Sequence, residues 1–274
     1  MKKLIAGALL GLAISYPATA DDFDKIKADG KITVATEAAF KPFEYVEDGK
    51  IIGLGADLLA EIISDMDVEV EQLDLPFQGI LAGLAAGQYD MVATSVSITE
   101  ERSKVYAFTR PIAAIQTVVV VLESNDSVRS LEDLNGILVG TQLGSAPEEE
   151  ARALNAQLKS GGGSGFDDLR LFQTFPDTAF ALRSGQVDAI VIGNTTAGEF
   201  MKTSPGTFKV ATHYGNPTLI AWVVRPGNPK LLKSVNSTIG RLSDSGKLGE
   251  MQEKWIGTKI EVPADNYLPE GAVQ

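Results

Sequence analysis

Apolar residues in the first part of the chain recur with the spacings of strands and helices in turn. Alternating or continuous apolar runs predict strands, and apolar residues three and four positions apart predict helices with one buried face. The predicted elements are, in order, a helix over 22–29, a strand over 32–36, a helix after Gly53, a strand over 68–73, a helix over 77–86 and a strand over 89–93. This alternation indicates an α/β fold with a parallel, doubly wound sheet.

The same order of elements begins again after Pro111. The predicted elements are a strand over 117–122, a short helix near 131–134, a strand over 137–141, a helix from Ser145 to about 158, a strand over 169–173, a helix over 177–183 and a strand over 187–192. Ser145 and Glu148 have the spacing of a capping box. The segment Gly87-Gln88-Tyr89-Asp90 recurs as Gly185-Gln186-Val187-Asp188, which indicates two similar α/β lobes.

A last strand over 219–224 and helices over 230–243 and 248–255 follow. We expect these helices to pack back on the first unit, so that the chain crosses twice between two lobes. The expected lobes are 21–114 together with 218–274, and 115–217. Two crossings leave a cleft with a hinge, and ligands of doubly wound sheets bind beyond the carboxyl ends of the strands.

Polar residues after the strand over 89–93 form the strongest candidate for a binding site. Thr99 has the position of an N-cap, and Glu100 and Glu101 lie in the first helical turn, where the helix dipole favours acids. Arg102 is mildly unfavourable there, so we expect it to serve a partner outside the helix. Hydroxyls, free N–H groups and a guanidinium at a strand end can bind a carboxylate. The alternative is a surface arginine paired with Glu100 or Glu101.

The amino terminus has the pattern of a secretory signal peptide. Lys2 and Lys3 precede an apolar run over 4–14, and Ala18-Thr19-Ala20 offers a cleavage site after Ala20. The run is too short to span a bilayer, and no later segment is long enough. We therefore expect residues 1–20 to be removed and the mature protein to be exported, soluble and periplasmic. The chain has no cysteine for disulfides or for a lipid anchor.

Charge and histidine content exclude several function classes. Loss of Lys2 and Lys3 shifts the formal net charge from −12 to −14, which disfavours binding of nucleic acid or anionic lipid. His213 is the only histidine, so most Ser/His/Asp triads and multi-histidine metal sites are excluded. We interpret His213 as a loop residue without a special role. Neither a metal nor an organic cofactor is expected.

Seven motifs follow one another along the mature chain: Thr36 to Glu44, Gly53 to Leu58, Gly87-Gln88-Tyr89-Asp90, Ser97-Ile98-Thr99-Glu100-Glu101-Arg102, Gly144-Ser145, Val187-Asp188-Ala189 and Lys254-Trp255-Ile256-Gly257. In this order they resemble the periplasmic amino-acid-binding proteins of ABC importers, solute-binding protein family 3. Each motif is weak alone, and their order makes the resemblance specific. It implies a two-lobed periplasmic-binding-protein fold, with two doubly wound α/β domains joined by two hinge crossings.

The resemblance implies roles for residues around a ligand carboxylate. Arg102 matches the arginine that holds this carboxylate, and Ser97 matches the hydroxyl and amide beside it. Ser145 matches the residue of the second lobe that closes on the carboxylate at a helix N-terminus. Thr94 and Ser95 match the positions that meet the ligand ammonium and first carbons.

The rest of the ligand has implied partners as well. Phe40 and Phe77 match an aromatic pair that sandwiches the ligand stem; the alternative for Phe77 is a core residue. Glu37 matches an acidic position that meets the distal cation of basic ligands; the alternative is a solvated loop acid. A cation near Phe40 would also be attracted by the ring face.

The chain departs from the family pattern at two positions. Gly193, followed by Asn194, stands where the family has an aspartate that pairs with the α-ammonium. A primary ammonium would lose a charge-assisted hydrogen bond of about 1.5–3 kcal/mol there. This favours a substituted, quaternary or ring-bound amine, as in opines, betaines or ectoine-like solutes, or an ammonium met by Asn194 and Glu37; ordinary polar or basic amino acids also fit. Gly55 stands where the family has an acid, although Asp57 is retained.

The expected function is that of a monomeric periplasmic receptor. It would bind a small carboxylate-bearing, amino-acid-like solute, zwitterionic or cationic, and deliver it to an inner-membrane ABC permease. The first alternative is an exported enzyme similar to cyclohexadienyl dehydratases with Glu37 as the acid, although no second acid or histidine lies among the motif residues. The second is a sensor domain of a larger signalling protein, which the lack of a transmembrane segment disfavours.

Overall fold

The structure is a computed structural model that describes residues 21–274. The predicted signal peptide, residues 1–20, lies outside the described residues. Within residues 21–274, no helix has both the length and the apolar character needed to cross a membrane.

The described residues form a mixed α/β fold. The helices are α1 (Asp22–Asp29), α2 (Leu54–Met66), α3 (Ile80–Ala85), α4 (Glu100–Ser103), α5 (Ala146–Ser160), α6 (Phe175–Arg183), α7 (Asn194–Thr203), α8 (Pro229–Asp244) and α9 (Lys247–Ile256), with a 3₁₀ turn over Glu132–Leu134. The strands are β1 (Lys31–Thr36), β2 (Ala39–Phe40), β3 (Glu44–Glu47), β4 (Lys50–Ile52), β5 (Glu69–Asp74), β6 (Met91–Ser97), β7 (Ala107–Phe108), β8 (Ala113–Leu122), β9 (Leu138–Gln142), β10 (Asp168–Phe172), β11 (Ala189–Gly193) and β12 (Phe208–Val224).

Local signals explain where several helices begin and end. The Asp21 side chain caps α1, and Gly30 ends this helix in the left-handed conformation at φ 67°. Ser145 Oγ caps α5 by accepting a hydrogen bond from Glu148 N at 3.2 Å. The reciprocal half of the predicted capping box is absent, because the Glu148 carboxylate accepts from Gly144 N at 2.6 Å instead.

The main sheet joins two groups of parallel strands through two long strands. Its order is β10-β9-β11-β8-β12-β6-β1-β5, and β7 pairs with β12 beside this path. β1 lies parallel to β5 and β6, and β9 lies parallel to β10 and β11. β8 and β12 pair antiparallel between the two groups. We call the part with β1, β5 and β6 the first lobe and the part with β9, β10 and β11 the second lobe.

Helices cover the strands of both lobes. α8 and α9 pack against α2 in the first lobe, although they come last in the chain. α5 packs against β9 and β11 in the second lobe, and α6 packs against β9, β10 and β11. The carboxyl ends of β1, β6, β9 and β11 turn toward the gap between the lobes.

The structure differs from the predicted elements in several segments. β12 is far longer than the predicted strand over 219–224 and contains His213, which is therefore not a loop residue. β12 is this long because it pairs with β8. The partner strand lies about a hundred positions earlier, so no local pattern predicts the length. The predicted loop over 37–43 contains β2, which forms a small sheet with β3 and β4. α7 is not among the predicted elements, and α3 begins at Ile80 rather than at residue 77.

Gly55 in the first turn of α2 provides a test of close packing. A Cβ at this residue would lie 2.1 Å from Glu44 Oε1, and Glu44 is fully buried and hydrogen-bonded to Thr94 and Ser95. We expect Gly55→Ala to lower the free energy of unfolding by about 1–3 kcal/mol, measured by urea denaturation. Gly198→Ala in α7 is the control, since a Cβ there meets no atom within 4 Å. A Gly55→Ala protein as stable as wild type would contradict this expectation.

Candidate functional site

A narrow, partly open cavity lies between the lobes, where β1, β6, β9 and β11 end. It holds about 350 Å³ of space not filled by atoms, part of which is open to solvent, and its wall consists of Glu37, Phe40, Phe77, Ser95, Ser97, Arg102, Ile115, Gln142, Ser145, Ala146, Pro147, Phe175 and Gly193. This position follows the rule for doubly wound sheets. Since both lobes contribute wall residues, the cavity is complete only when the lobes approach each other.

Arg102 lies on this wall, and a short helix positions it. Thr99 Oγ1 accepts a hydrogen bond from Arg102 N at 3.3 Å, so the predicted N-cap of α4 is present. Arg102 is only 7% exposed, and Glu100 pairs with Lys104 at 2.5 Å. The alternative of a surface arginine paired with its neighbours is therefore wrong.

The Arg102 guanidinium connects the two lobes. Its Nη2 donates to Glu149 Oε1 at 2.8 Å and to Gly144 O at 3.1 Å, and both acceptors belong to the second lobe. Its Cζ lies 5.8 Å from the ring centroid of Phe77. Among the described residues, Nε and Nη1 of Arg102 make no hydrogen bond. These donors are thus available to a ligand carboxylate, for which the planar guanidinium is well shaped.

Ser97 and Ser145 lie on the wall together with Arg102. Ser145 Oγ donates to the backbone carbonyl of Gln142 at 2.7 Å, which fixes the turn into α5. The first two residues of α5 also line the cavity, so the positive end of its helix dipole faces this space. A guanidinium and a helix N-terminus on one wall favour a negatively charged group.

Glu37 is a buried acid on the same wall. It is 2% exposed, so the alternative of a solvated loop acid is wrong. Its Oε1 accepts a hydrogen bond from Gln142 Nε2, which also donates to Gln173 O at 3.0 Å. Burial raises the pKa of Glu37 to about 8; the Gln142 hydrogen bond opposes this effect, and the Asp74 carboxylate adds to it. A cationic ligand group would supply the positive charge that favours the ionised form.

Aromatic rings form the apolar part of the wall. The Phe40 centroid lies 5.0 Å from that of Phe43 and 5.3 Å from that of Phe175 in the second lobe. Phe77 lines the cavity and also belongs to a buried apolar cluster of the first lobe. Both predicted aromatic residues therefore reach the wall, and Phe77 is a core residue as well. Their contact with a ligand stem stays a prediction.

Thr94 and Ser95 hold a buried carboxyl that sequence reasoning misses. Glu44 Oε2 accepts hydrogen bonds from Thr94 Oγ1 at 3.1 Å and from Ser95 N at 3.3 Å, and Glu44 Oε1 accepts from Ser95 Oγ at 3.1 Å. Burial raises the pKa of Glu44 to about 8, against these hydrogen bonds and with a contribution from Glu37. Ser95 lies on the wall. Thr94 lies behind it, so its observed partner is Glu44 rather than the predicted ligand ammonium.

Gly193 reaches the wall, and Asn194 does not. Asn194 Oδ1 accepts a hydrogen bond from Gln116 N in β8 at 3.0 Å, which directs this amide to a connecting strand. Its position therefore does not support the predicted contact with a ligand ammonium. Gly193 has φ −71° and ψ 145°, which any residue adopts, and a Cβ there would lie 3.6 Å from Ile115 Cδ1. A side chain fits at residue 193.

Gln142, Phe175 and Glu149 are among the residues of the site that the sequence predictions lack. Gln142 directly follows a predicted strand, and this position is the signal that could have identified it. Phe175 opens α6 after a complete capping box of Thr174 and Asp177, which marks the helix start. Glu149 has no local signal, because its partner arginine lies 47 positions earlier.

The arrangement suits binding of a small molecule with charges of both signs. Within residues 21–274, no group of three or more histidine, aspartate or glutamate side chains is arranged to hold a metal ion. The wall offers a guanidinium with two free donors, an acid without an ion-pair partner among the described residues, and aromatic rings.

Comparison with known proteins decides the family. Residues 32–258 match the bacterial extracellular solute-binding proteins, family 3. The chain belongs to this family. It is similar to the L-cystine-binding protein TcyJ of Escherichia coli (strain K12), with 28% identity over 262 residues that cover 95% of each chain. The predicted resemblance to amino-acid-binding proteins of ABC importers is thereby confirmed.

Solved structures of similar proteins confirm the fold of this family 3 protein. An ancestral arginine-binding protein bound to arginine has a TM-score of 0.76 and 33% identity, covering 82% of this chain and 98% of that chain. The ancestral amino acid-binding protein AncCDT-1, described as a precursor of cyclohexadienyl dehydratase, has a TM-score of 0.76 and 27% identity, covering 86% and 99%. The predicted two-lobed periplasmic-binding-protein fold is confirmed.

The buried carboxyls Glu37 and Glu44 make stability depend on pH. Each pKa is about 8 in the folded protein against 4.5 for an exposed glutamate, so the folded state binds more protons than the unfolded state between these values. We expect the free energy of unfolding of the ligand-free protein to fall as pH rises from about 4.5 to about 8. Glu44→Gln should flatten this slope in urea denaturation, and Glu253→Gln at an exposed position should not. An equally steep slope in Glu44→Gln would contradict the expectation.

Proposed function

We propose that this protein is a periplasmic receptor of an ABC importer for a small, carboxylate-bearing polar or cationic amino acid or amino-acid derivative. The observation that carries the proposal is the burial of a guanidinium, Arg102, and a carboxyl, Glu37, on the wall of one cavity. Both belong to the first lobe, and they contact Glu149 and Gln142 of the second lobe. A ligand bound to both would stabilise the closed state by its added contacts.

The chemistry of the wall supports this ligand class. The free Nε and Nη1 of Arg102 suit a carboxylate, while a cation near Glu37 would lower the pKa of that carboxyl and favour its charged form. The faces of Phe40 and its neighbours attract cations as well. Relatives named for L-cystine and for arginine support an amino acid as the ligand.

Gly193 widens the range of amines that fit. The wall has no acid at this residue to pair with an α-ammonium, which favours substituted amines such as opines and ectoine-like solutes beside ordinary basic amino acids. Betaines, whose amine is quaternary, belong to the same range on this criterion.

The transport role rests on the family and on the topology. The proposed lobe boundaries, 21–114 with 218–274 and 115–217, fall inside β8 and β12, the two strands that connect the lobes. Closure around the ligand would present both lobes in a fixed arrangement to an inner-membrane ABC permease. The mature protein would act as a monomer in the periplasm after removal of residues 1–20.

A ligand panel tests the proposal. Thermal shifts would be measured with L-arginine, L-lysine, L-histidine, L-cystine, octopine, glycine betaine and ectoine. We expect a saturable shift with at least one carboxylate that carries a cation, and Arg102→Ala should abolish this shift while the circular dichroism spectrum stays unchanged. Arg152→Ala, which removes an exposed arginine paired with Glu148, should bind normally.

Two outcomes would count against the proposal. Undiminished affinity of Arg102→Ala in calorimetry would refute the role of the guanidinium as anchor. The absence of a shift with every member of the panel would refute the proposed ligand class.

Gly193→Asp should raise the affinity for primary α-amino acids. The site has room for a side chain, and a carboxylate there would accept a charge-assisted hydrogen bond from the ammonium, worth about tenfold or more in Kd. Isothermal calorimetry with the panel measures the change, and Gly193→Asn is the neutral control of similar size. No gain with any standard amino acid, or the same gain with Gly193→Asn, would contradict this account.

One observation favours an enzyme as the second candidate. Glu37 is a buried carboxyl with a raised pKa, as a general acid requires, and one similar structure is described as a dehydratase precursor. Incubation with prephenate distinguishes the two functions. Steady product formation that Glu37→Gln abolishes would replace the account of a receptor alone.

A further inference from the structure

Glu44 is a buried carboxyl directly behind the cavity wall, and neither the Arg102 nor the Glu37 contacts involve it. It is fully buried at the start of β3. Its two oxygens accept hydrogen bonds from Thr94 Oγ1, Ser95 N and Ser95 Oγ at 3.1–3.3 Å. Ser95 is the one of these two partners that lines the cavity. Glu44 can therefore act on the cavity through Ser95.

The space for this carboxyl depends on residue 55. A Cβ at Gly55 would lie 2.1 Å from Oε1 and 2.7 Å from Cδ of Glu44. The glycine at residue 55 therefore leaves the space that the Glu44 carboxyl occupies behind Ser95.

The contact with Glu44 sets the polarity that Ser95 presents to a ligand. A serine hydroxyl has one hydrogen to donate and two lone pairs to accept. Ionised Glu44 can only accept, so it directs the hydrogen of Ser95 Oγ to itself and leaves only lone pairs for the cavity. A ligand group at Ser95 must then be a hydrogen-bond donor, and a positive charge on it would be attracted by the carboxylate behind.

The charges around Glu44 also favour a cationic ligand group. Its hydrogen-bond partners are neutral, and the ionisable group that acts on it most is Glu37, which has the same sign and raises its pKa. Among the described residues, no lysine or arginine pairs with Glu44. A cation that enters the cavity would favour ionised Glu44.

We propose that Glu44 is a positioning residue for the ligand amine: in the ionised form that a bound cation favours, it fixes the Ser95 hydroxyl as an acceptor and places a negative charge behind it. The amine at Ser95 then carries at least one N–H, which includes primary and secondary ammonium groups and excludes quaternary betaines. This inference rests on the proposed function, because it assigns a partner to the ligand amine that Gly193 leaves without an acid.

Glu44→Gln tests the inference because the amide has a donor where the carboxylate has an acceptor. One side of the introduced amide would donate, so the Ser95 hydroxyl must turn to accept and would direct its hydrogen into the cavity. Affinities would be compared by calorimetry for L-arginine against δ-guanidinovalerate and for L-lysine against ε-aminocaproate, pairs that differ in the α-ammonium. If wild type binds either pair, we expect it to bind the amino acid about tenfold or more tightly than the analogue that lacks the α-ammonium.

Glu44→Gln should reduce this preference to near unity. It should weaken the binding of the amino acid and leave the binding of its deaminated analogue unchanged. Glu199→Gln is the matched control, since Glu199 is also a buried carboxyl but does not contact the wall residue Ser95. It should leave the preference unchanged. A preference kept in Glu44→Gln, an equal loss in Glu199→Gln, or tighter binding of glycine betaine than of either amino acid would overturn the inference.

A ligand-free measurement separates this inference from the proposed function. Glu44 would be titrated by carbon-detected NMR of the side-chain carboxyl in wild type and in Ser95→Ala, with Glu44→Gln identifying its signal. Loss of the hydroxyl donor should shift the Glu44 titration to higher pH. If no probe binds to wild type, the proposed ligand class fails and this titration still decides; a titration insensitive to Ser95→Ala would overturn the role of Glu44.

Discussion

The rest of the site depends on the burial of one guanidinium between two lobes. A cation removed from water is destabilising unless it has acceptors of good geometry. The acceptors for the Arg102 guanidinium, the Glu149 carboxylate and the backbone carbonyl of Gly144, both belong to the second lobe. The pairing of this cation therefore joins the two lobes, and under the proposed function a ligand carboxylate would bind its remaining donors.

Two buried carboxyls, one on the cavity wall and one behind it, have no cationic partner among the described residues. Glu37 and Glu44 are both buried, and their main neighbours are amides and hydroxyls rather than cations. Burial away from water is the main cause of their raised pKa values, and no cation offsets it among the described residues. Under the proposed function, a ligand that brings a cation to the acids and an anion to the arginine would gain most from this site. Recognition and lobe closure would then depend on the same electrostatic interactions.

Elements with local signals could be predicted from the sequence. The N-cap of α4 at Thr99 and the glycine that ends α1 follow from residues within one helical turn, and the structure has both. The length of β12 and the burial of Glu44 could not be predicted in this way. β12 is defined by its pairing with β8, and Glu44 is buried because β6 and α2 close around the start of β3.

The sequence by itself determined the fold class, the family, and which residue types stand at the strand ends, including Arg102, Glu37 and the glycine at residue 193. These properties lie in periodicity, motif order and side-chain chemistry, all of which are read along the chain. Only the tertiary structure decided that Thr94 binds Glu44, that Asn194 turns to β8, and that Glu149 and Phe175 complete the site. Burial and pairing arise between segments that are distant in sequence, so no local pattern contains them.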